Sequence, residues 1–109
     1  MAITYKVLGQ VAPSATTETD LYTVPASTTA VCSTITICNR GAAAGTIRVS
    51  VAATGGATAN KDYLYYDLTV AAYDTFAATM GITLPAAAKI KVYASSGNFS
   101  FNLFGSEHT

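Results

Sequence analysis

The sequence predicts an all-β fold: an antiparallel β-sandwich, jelly-roll or immunoglobulin-like, of about eight short strands. Three observations predict it. The stretch Ala30–Asn39, reading AVCSTITICN, is β-branched or small throughout and holds no Gly, Pro or charge, which fits a buried pleated surface better than a helix. Thr46–Ala52 and Lys89–Ala94 alternate apolar with polar residues, the period of a half-buried strand. Clusters of Gly, Pro, Asn and Ser interrupt the apolar runs at short intervals.

Taken in order, Tyr5–Val11 alternates loosely and reads as a first strand or an extended arm within residues 1–11. Ala12–Thr19 is a Pro-, Ser- and Thr-rich loop. Asp20–Val24 is a short strand ended by Pro25, which lacks a ladder donor. Ala26–Thr29 turns into the central strand. Strict alternation there sends Val31, Ser33, Ile35 and Ile37 to one face, and Cys32, Thr34, Thr36 and Cys38 to the other. The two cysteines then lie roughly 20 Å apart on one straight strand, at ~3.3 Å per residue, too far for a disulfide. They read as small buried apolar residues.

Asn39-Arg40-Gly41 signals a turn, and the connection on to Thr46 is short enough for a hairpin. Ile47, Val49 and Val51 then face the core, with Arg48 outward. Ala53–Asp62 is a loop carrying Gly55-Gly56. In the strand Tyr63–Val70, alternation turns Leu64, Tyr66, Leu68 and Val70 inward and Tyr63, Tyr65, Asp67 and Thr69 outward. Thr75–Met80 is a strand with Phe76, Ala78 and Met80 inward, broken by Gly81. Ile82–Ala88 is an irregular crossing. Lys89–Ala94 points Ile90, Val92 and Ala94 inward and Tyr93 outward. Phe99–Phe104 is the last strand, and residues 105–109 read as a mobile polar tail.

The 109 residues make one domain, residues 1–109, with no repeat or interdomain linker. Six basic residues balance six acidic ones, and charged residues are only 11% of the chain. Such a chain has no basic patch to hold phosphate backbones, so nucleic acid is not an expected partner. It has little self-repulsion, and its low charge points to a surface meant to be covered. No run nears the ~20 apolar residues of a membrane helix, and the N-terminus does not read as a signal peptide, so synthesis and first use in a cytoplasm are expected.

Convergent polar chemistry is scarce. His108 is the sole histidine; with Cys32 and Cys38 it supplies too few ligands, poorly spaced, for zinc. Asp62 and Asp67 fall on opposite faces of their strand, which separates them as a carboxylate pair. Gly55-Gly56 lacks the Lys-Ser or Lys-Thr of a phosphate loop. No catalytic residue, metal site or cofactor is expected, and the chain reads as a non-enzyme. The outward tyrosines Tyr63, Tyr65 and Tyr93 fit three descriptions: cross-strand pairs on a wet sheet, an interface with another subunit, or a platform for glycan. Arg48 is either a solvated strand charge or an interface residue.

Three segments in order carry a resemblance: Leu21-Tyr22-Thr23-Val24-Pro25-Ala26, Ser33-Thr34-Ile35-Thr36-Ile37-Cys38-Asn39-Arg40-Gly41 and Phe99-Ser100-Phe101-Asn102-Leu103-Phe104-Gly105-Ser106-Glu107. Together they make the chain resemble, over nearly its whole length, a family of small virion structural proteins of tailed bacteriophages, particularly cyanophages. The family's turn after the segment equivalent to Gly81-Ile82-Thr83-Leu84 is more polar than Pro85–Ala88, a local departure. The resemblance implies a β-sandwich carried on the virion, made in the host cytoplasm and bound as a capsid decoration, or cement, protein on the outer shell. Its implied partners are the major capsid protein and copies of itself. Expected contact residues are Tyr5 and Val7 within Ile3–Val11, Arg40, the loop at Gly55, Arg48, and the tyrosines Tyr63, Tyr65 and Tyr93. The alternative is a tail, neck or fibre component that holds host glycan on those tyrosines.

Overall fold

Eight antiparallel strands form two stacked four-stranded sheets in the computed structural model, which describes residues 2–109. The strands are β1 (Ile3–Val11), β2 (Thr19–Thr23), β3 (Thr29–Asn39), β4 (Gly45–Ala52), β5 (Tyr63–Val70), β6 (Thr75–Leu84), β7 (Lys89–Ala94) and β8 (Phe99–His108). One sheet runs β1-β8-β3-β6 and the other β2-β7-β4-β5. The pairings are nested: β1 with β8, β2 with β7, β3 with β6 and β4 with β5. The chain is thus a single long hairpin, turning at the loop after β4, that has rolled up into two layers. This is the jelly roll, and it decides between the two sandwich types the sequence left open.

The core lies between the layers and is made by alternate residues of the inner strands. Ile35, Ile37, Ile47, Val49, Ile90, Phe99, Phe101 and Leu103 are fully buried. The β3–β4 connection is not a hairpin: those strands lie in different sheets, and the connection crosses the end of the sandwich. Buried Asn39 is its anchor. Asn39 Nδ2 donates to the carbonyls of Ala43, Val70 and Ala71 at 2.9, 3.2 and 3.2 Å, and Oδ1 accepts from Gly41 N at 2.9 Å.

Strict alternation misplaces side chains wherever a bulge intervenes, because one inserted residue swaps the two faces. On β3 the register shifts between Cys32 and Thr34. Ala30 and Cys32 are therefore buried ahead of the shift and Ile35 and Ile37 beyond it, while Ser33 is exposed. Cys32 and Cys38 end on opposite faces as free thiols. Burial pushes the Cys32 thiol up to about 11, which keeps it protonated and inert. On β5, Tyr66 and Asp67 together oppose Arg48, since Ile47 pairs with Leu68 but Val49 with Tyr65. Asp67 takes a left-handed backbone, φ 52°, which aspartate tolerates better than most residues. The inversion corrects the expected outward position of Tyr65. Its ring turns in and meets Phe76 edge-on at 5.3 Å, while Leu64 and Tyr66 are exposed.

Two further corrections concern strand ends. Gly81 does not break β6; it sits at an irregularity opposite Ser33, and the strand continues to Leu84. Residues 105–108 are no mobile tail. They extend β8, paired on one side with β1 and on the other with β3. Gly105 permits this, because a Cβ there would stand 2.0 Å from the Val31 carbonyl oxygen.

The end of β8 is also tied across the sandwich. Tyr22, buried on β2, donates its hydroxyl to Glu107 Oε2 at 2.5 Å, and Lys6 Nζ lies 3.3 Å from Glu107 Oε1. Burial first, then the bond to Glu107, raises the Tyr22 phenol far above its ordinary range. The Tyr22 bond first, then Lys6, holds the Glu107 carboxyl below its ordinary 4.5. A carboxylate depressed in the folded state binds protons more readily when unfolded. Its stabilisation is complete above that ordinary value and is lost as pH falls through the folded value. Tyr22→Phe should therefore lower stability by about 1–2 kcal/mol at pH 7. The deficit relative to wild type should shrink in acid, as urea unfolding at pH 7 and pH 3 would read.

Candidate functional site

The outer face of β2-β7-β4-β5 gathers the aromatic and charged residues. Arg48 on β4 stands across from Tyr93 on β7 and from the β5 bulge. Its Nε donates to Asp67 Oδ1 at 2.7 Å and its Nη2 to Oδ2 at 3.4 Å. The guanidinium lies between two rings, 4.3 Å from the Tyr66 centroid and 4.4 Å from the Tyr93 centroid. Tyr63 meets Tyr66 edge-on at 4.8 Å. A planar cation with a two-pronged carboxylate partner and a ring on either side is held in one orientation. The bulge is what brings this about, since it presents Tyr66 and Asp67 to the same guanidinium.

An open groove of about 620 Å³ runs beside this cluster, lined by Glu18, Arg48, Thr58, Tyr63, Lys91 and Tyr93 among others. The loop after β4 forms one wall. Thr58 Oγ1 donates to Glu18 Oε2 at 2.9 Å, and Lys91 Nζ donates to the Gly56 carbonyl at 2.8 Å. Asp62, at the end of that loop, accepts from Ala59 N at 2.8 Å, a bond that holds its carboxyl below the ordinary value with help from Lys61. Ring faces beside fixed donors and acceptors suit a polyhydroxylated ligand, whose C–H faces stack and whose hydroxyls hydrogen-bond.

The outer face of β1-β8-β3-β6 is different. The register brings Ile3, Tyr5, Val7 and Gln10 of β1, Ser100, Asn102, Phe104, Ser106 and His108 of β8, and Thr34, Thr36 and Cys38 of β3 to one side. Thr75, Ala77, Thr79 and Thr83 of β6 complete it. None of these is Asp, Glu, Lys or Arg. Ile3, Tyr5 and Val7 form an apolar stripe, respectively 49%, 82% and 46% exposed, beside half-buried Phe104. Arg40 lies at the far end, its Nε donating to Ser100 Oγ at 2.8 Å and its Nη2 to the Gly97 carbonyl at 3.1 Å. His108 belongs to this face rather than to a solvated tail; its Nε2 is 3.0 Å from Ser106 Oγ. Ser106 is 7% exposed. Among the described residues, no three His, Cys, Asp or Glu side chains converge as a metal site.

The seven residues expected at an interface thus separate. Arg48, Tyr63 and Tyr93 stand together on one sheet, Tyr5 and Val7 with Arg40 on the other, and Tyr65 faces the interior. Sequence reasoning missed Tyr66 and Asp67 as partners of Arg48. The signal was present, because Asp67 is a residue strands disfavour, placed inside a strand pattern where a bulge accommodates it.

No family model matches the chain, and no curated protein sequence matches it. Among solved structures it is similar to a chain in the structure of infectious bursal disease virus, Gx strain, with a TM-score of 0.55 and 9% identity. The likeness covers 97% of this chain and 31% of the viral one, so this chain spans about a third of that length. At such low identity, the likeness establishes a shared β-sandwich fold.

Proposed function

We propose that the chain is a virion structural protein and, more narrowly, a capsid decoration protein of a tailed bacteriophage that binds the outer surface of the shell and stabilises it. The observation that carries this reading is the outer face of β1-β8-β3-β6, whose strand residues carry no charge, Arg40 standing at one end, and which exposes the Ile3, Tyr5 and Val7 stripe. An uncharged sheet face with a large exposed aromatic suits a protein partner and neither nucleic acid nor an anionic membrane. The jelly-roll fold and its likeness to a viral chain agree with it, as does the resemblance carried by the three sequence segments. A decoration protein binds only the assembled lattice and so stabilises it by its binding free energy, and many weak contacts at fixed spacing add by avidity. The partners are the major capsid protein and neighbouring copies, and the site of action is the capsid surface.

The aromatic groove favours a second reading, a tail, neck or fibre component whose Tyr63 and Tyr93 hold host glycan. Copy number separates the two. Quantitative mass spectrometry of purified particles should find copies on the order of hundreds, as repeated lattice sites require. Particles lacking the protein should release their genome at lower temperature, and adding back the Tyr5→Asp, Val7→Asp double variant should not restore it. A count of a few dozen or fewer, with unchanged heat resistance, would assign the protein to the tail.

A further inference from the structure

A two-layer sandwich has four edge strands, and here three of them are guarded against pairing. Strand β1 carries Lys6 and a register shift between Val7 and Gly9. Strand β2 is five residues long, holds Asp20 paired with Lys89 at 3.2 Å, and is closely followed by Pro25. Strand β5 is doubly irregular, with Asp67 in its bulge. Charge, proline, brevity and bulges are the devices by which natural sheets discourage edge pairing. Strand β6 is ten residues long, without charge or proline, and its one irregularity lies at Met80-Gly81 near its far end. That leaves Thr75–Thr79 as a regular, neutral, unguarded edge.

We propose that this edge pairs with the same edge of a second copy, antiparallel about a two-fold axis at Ala77, giving one continuous eight-stranded sheet. The segment Thr75-Phe76-Ala77-Ala78-Thr79 is self-complementary in that register. On the outer face Thr75 opposes the partner's Thr79, and Ala77 opposes the partner's Ala77. On the inner face Phe76 opposes the partner's Ala78. Threonine pairs are favourable across strands, and an aromatic beside a small residue clashes with nothing. No like charges meet, and the chain's formal net charge is zero, so copies approach without repulsion. An isologous contact of this kind closes at two copies instead of propagating. Strand β5, stacked over β6 through Tyr65 and Phe76, adds exposed Leu64 on the strand that ends the other layer. The dimer would double this charge-poor face and present two Tyr5 stripes. It is a property of the isolated chain and does not depend on the virion reading.

Sedimentation velocity of the purified chain over a range of concentrations tests it. Wild type should show a reversible monomer–dimer equilibrium. Ala77→Lys sets two ammonium groups opposite each other at the axis and should weaken association by about 100-fold, with unchanged circular dichroism. Thr36→Lys, on the same face beside Ala77 but on central β3, should leave association intact. If Ala77→Lys fails to fold, Thr79→Lys makes the same test at the flanking pair. A chain that stays monomeric at every concentration overturns the proposal. So does a dimer that survives these edge variants, or one that Thr36→Lys or Tyr5→Asp dissolves.

Discussion

Gly105→Val should destabilise the fold by at least about 3 kcal/mol, a fall in melting temperature of roughly 12–20 °C for a domain of this size. Strand β8 lies between β1 and β3, and at Gly105 it passes so close to β3 that a Cβ would sit 2.0 Å from the Val31 carbonyl oxygen and 3.0 Å from Leu8 Cδ1. The first neighbour is backbone and cannot rotate away. Either β8 parts from β3 at the bulge or β3 shifts with the Ile35 and Ile37 layer attached. Gly105→Ala should show most of the effect, because the clash begins at Cβ. Gly97→Ala is the control: nothing lies within 4 Å of its added methyl, so its stability should stay within about 0.5 kcal/mol of wild type. Deleting residues 105–109 should also be severe, since it removes the last four paired residues of β8 from both neighbours and the Tyr22–Glu107 bond. Thermal melts of these four variants read the effects. A truncated chain as stable as wild type would mean that the last five residues contribute no sheet at all.

The tail is also where the sequence was hardest to read, and the reason is physical. Gly105-Ser106-Glu107-His108 has neither β-branched nor apolar residues, so local propensity points to coil. What makes it a strand is two neighbours that already exist, β1 and β3, and tertiary pairing overrides propensity. The strong runs were legible for the opposite reason. Lys89–Ala94 alternates without fault and is a strand with those same ends and those same buried residues, Ile90, Val92 and Ala94. Between these extremes stand β3 and β5, whose existence and length were readable while their facing was not. A bulge is a single-residue event, and it leaves little trace in apolar periodicity. On β5 it carried Tyr65 inward and placed Tyr66 and Asp67 on Arg48, so half of the aromatic cluster was hidden by the error that hid the bulge. The Ile3, Tyr5 and Val7 stripe depends on the pairing of β1 with a strand about a hundred residues away. No local pattern could show which side of it would be left bare.

Asn39→Ala is the second large effect, about 3 kcal/mol or more. The side chain is 1% exposed at the point where β3 leaves the core. It joins three segments that share no strand pairing at that point. Its amide donates to Ala43 in the β3–β4 crossing and to Val70 and Ala71 at the end of β5, while its oxygen receives Gly41 N. Its own backbone N donates to the Asp74 carbonyl at 2.9 Å, tying the same corner to the start of β6. Alanine leaves the Gly41 donor and the three carbonyls without these bonds, and each unpaired buried group costs about 1–3 kcal/mol unless water enters. Asn39→Asp separates the contributions. It keeps an acceptor for Gly41 but aims a carboxylate at three carbonyl oxygens, so it should be at least as damaging as alanine at pH 7 and should recover in acid as it becomes protonated. Half-buried Asn102→Ala, which removes only the 2.7 Å bond from Gln10, should cost no more than about 1 kcal/mol. Urea unfolding of the three variants at pH 7 and pH 4 distinguishes them. Equal, small losses at both asparagines would mean that the corner is held by its backbone alone. A large loss at Asn39 would explain why an asparagine, rather than a third apolar residue, follows Ile35 and Ile37 on the inward side of β3: the crossing between sheets has carbonyls to satisfy, and only an amide at that position reaches them all.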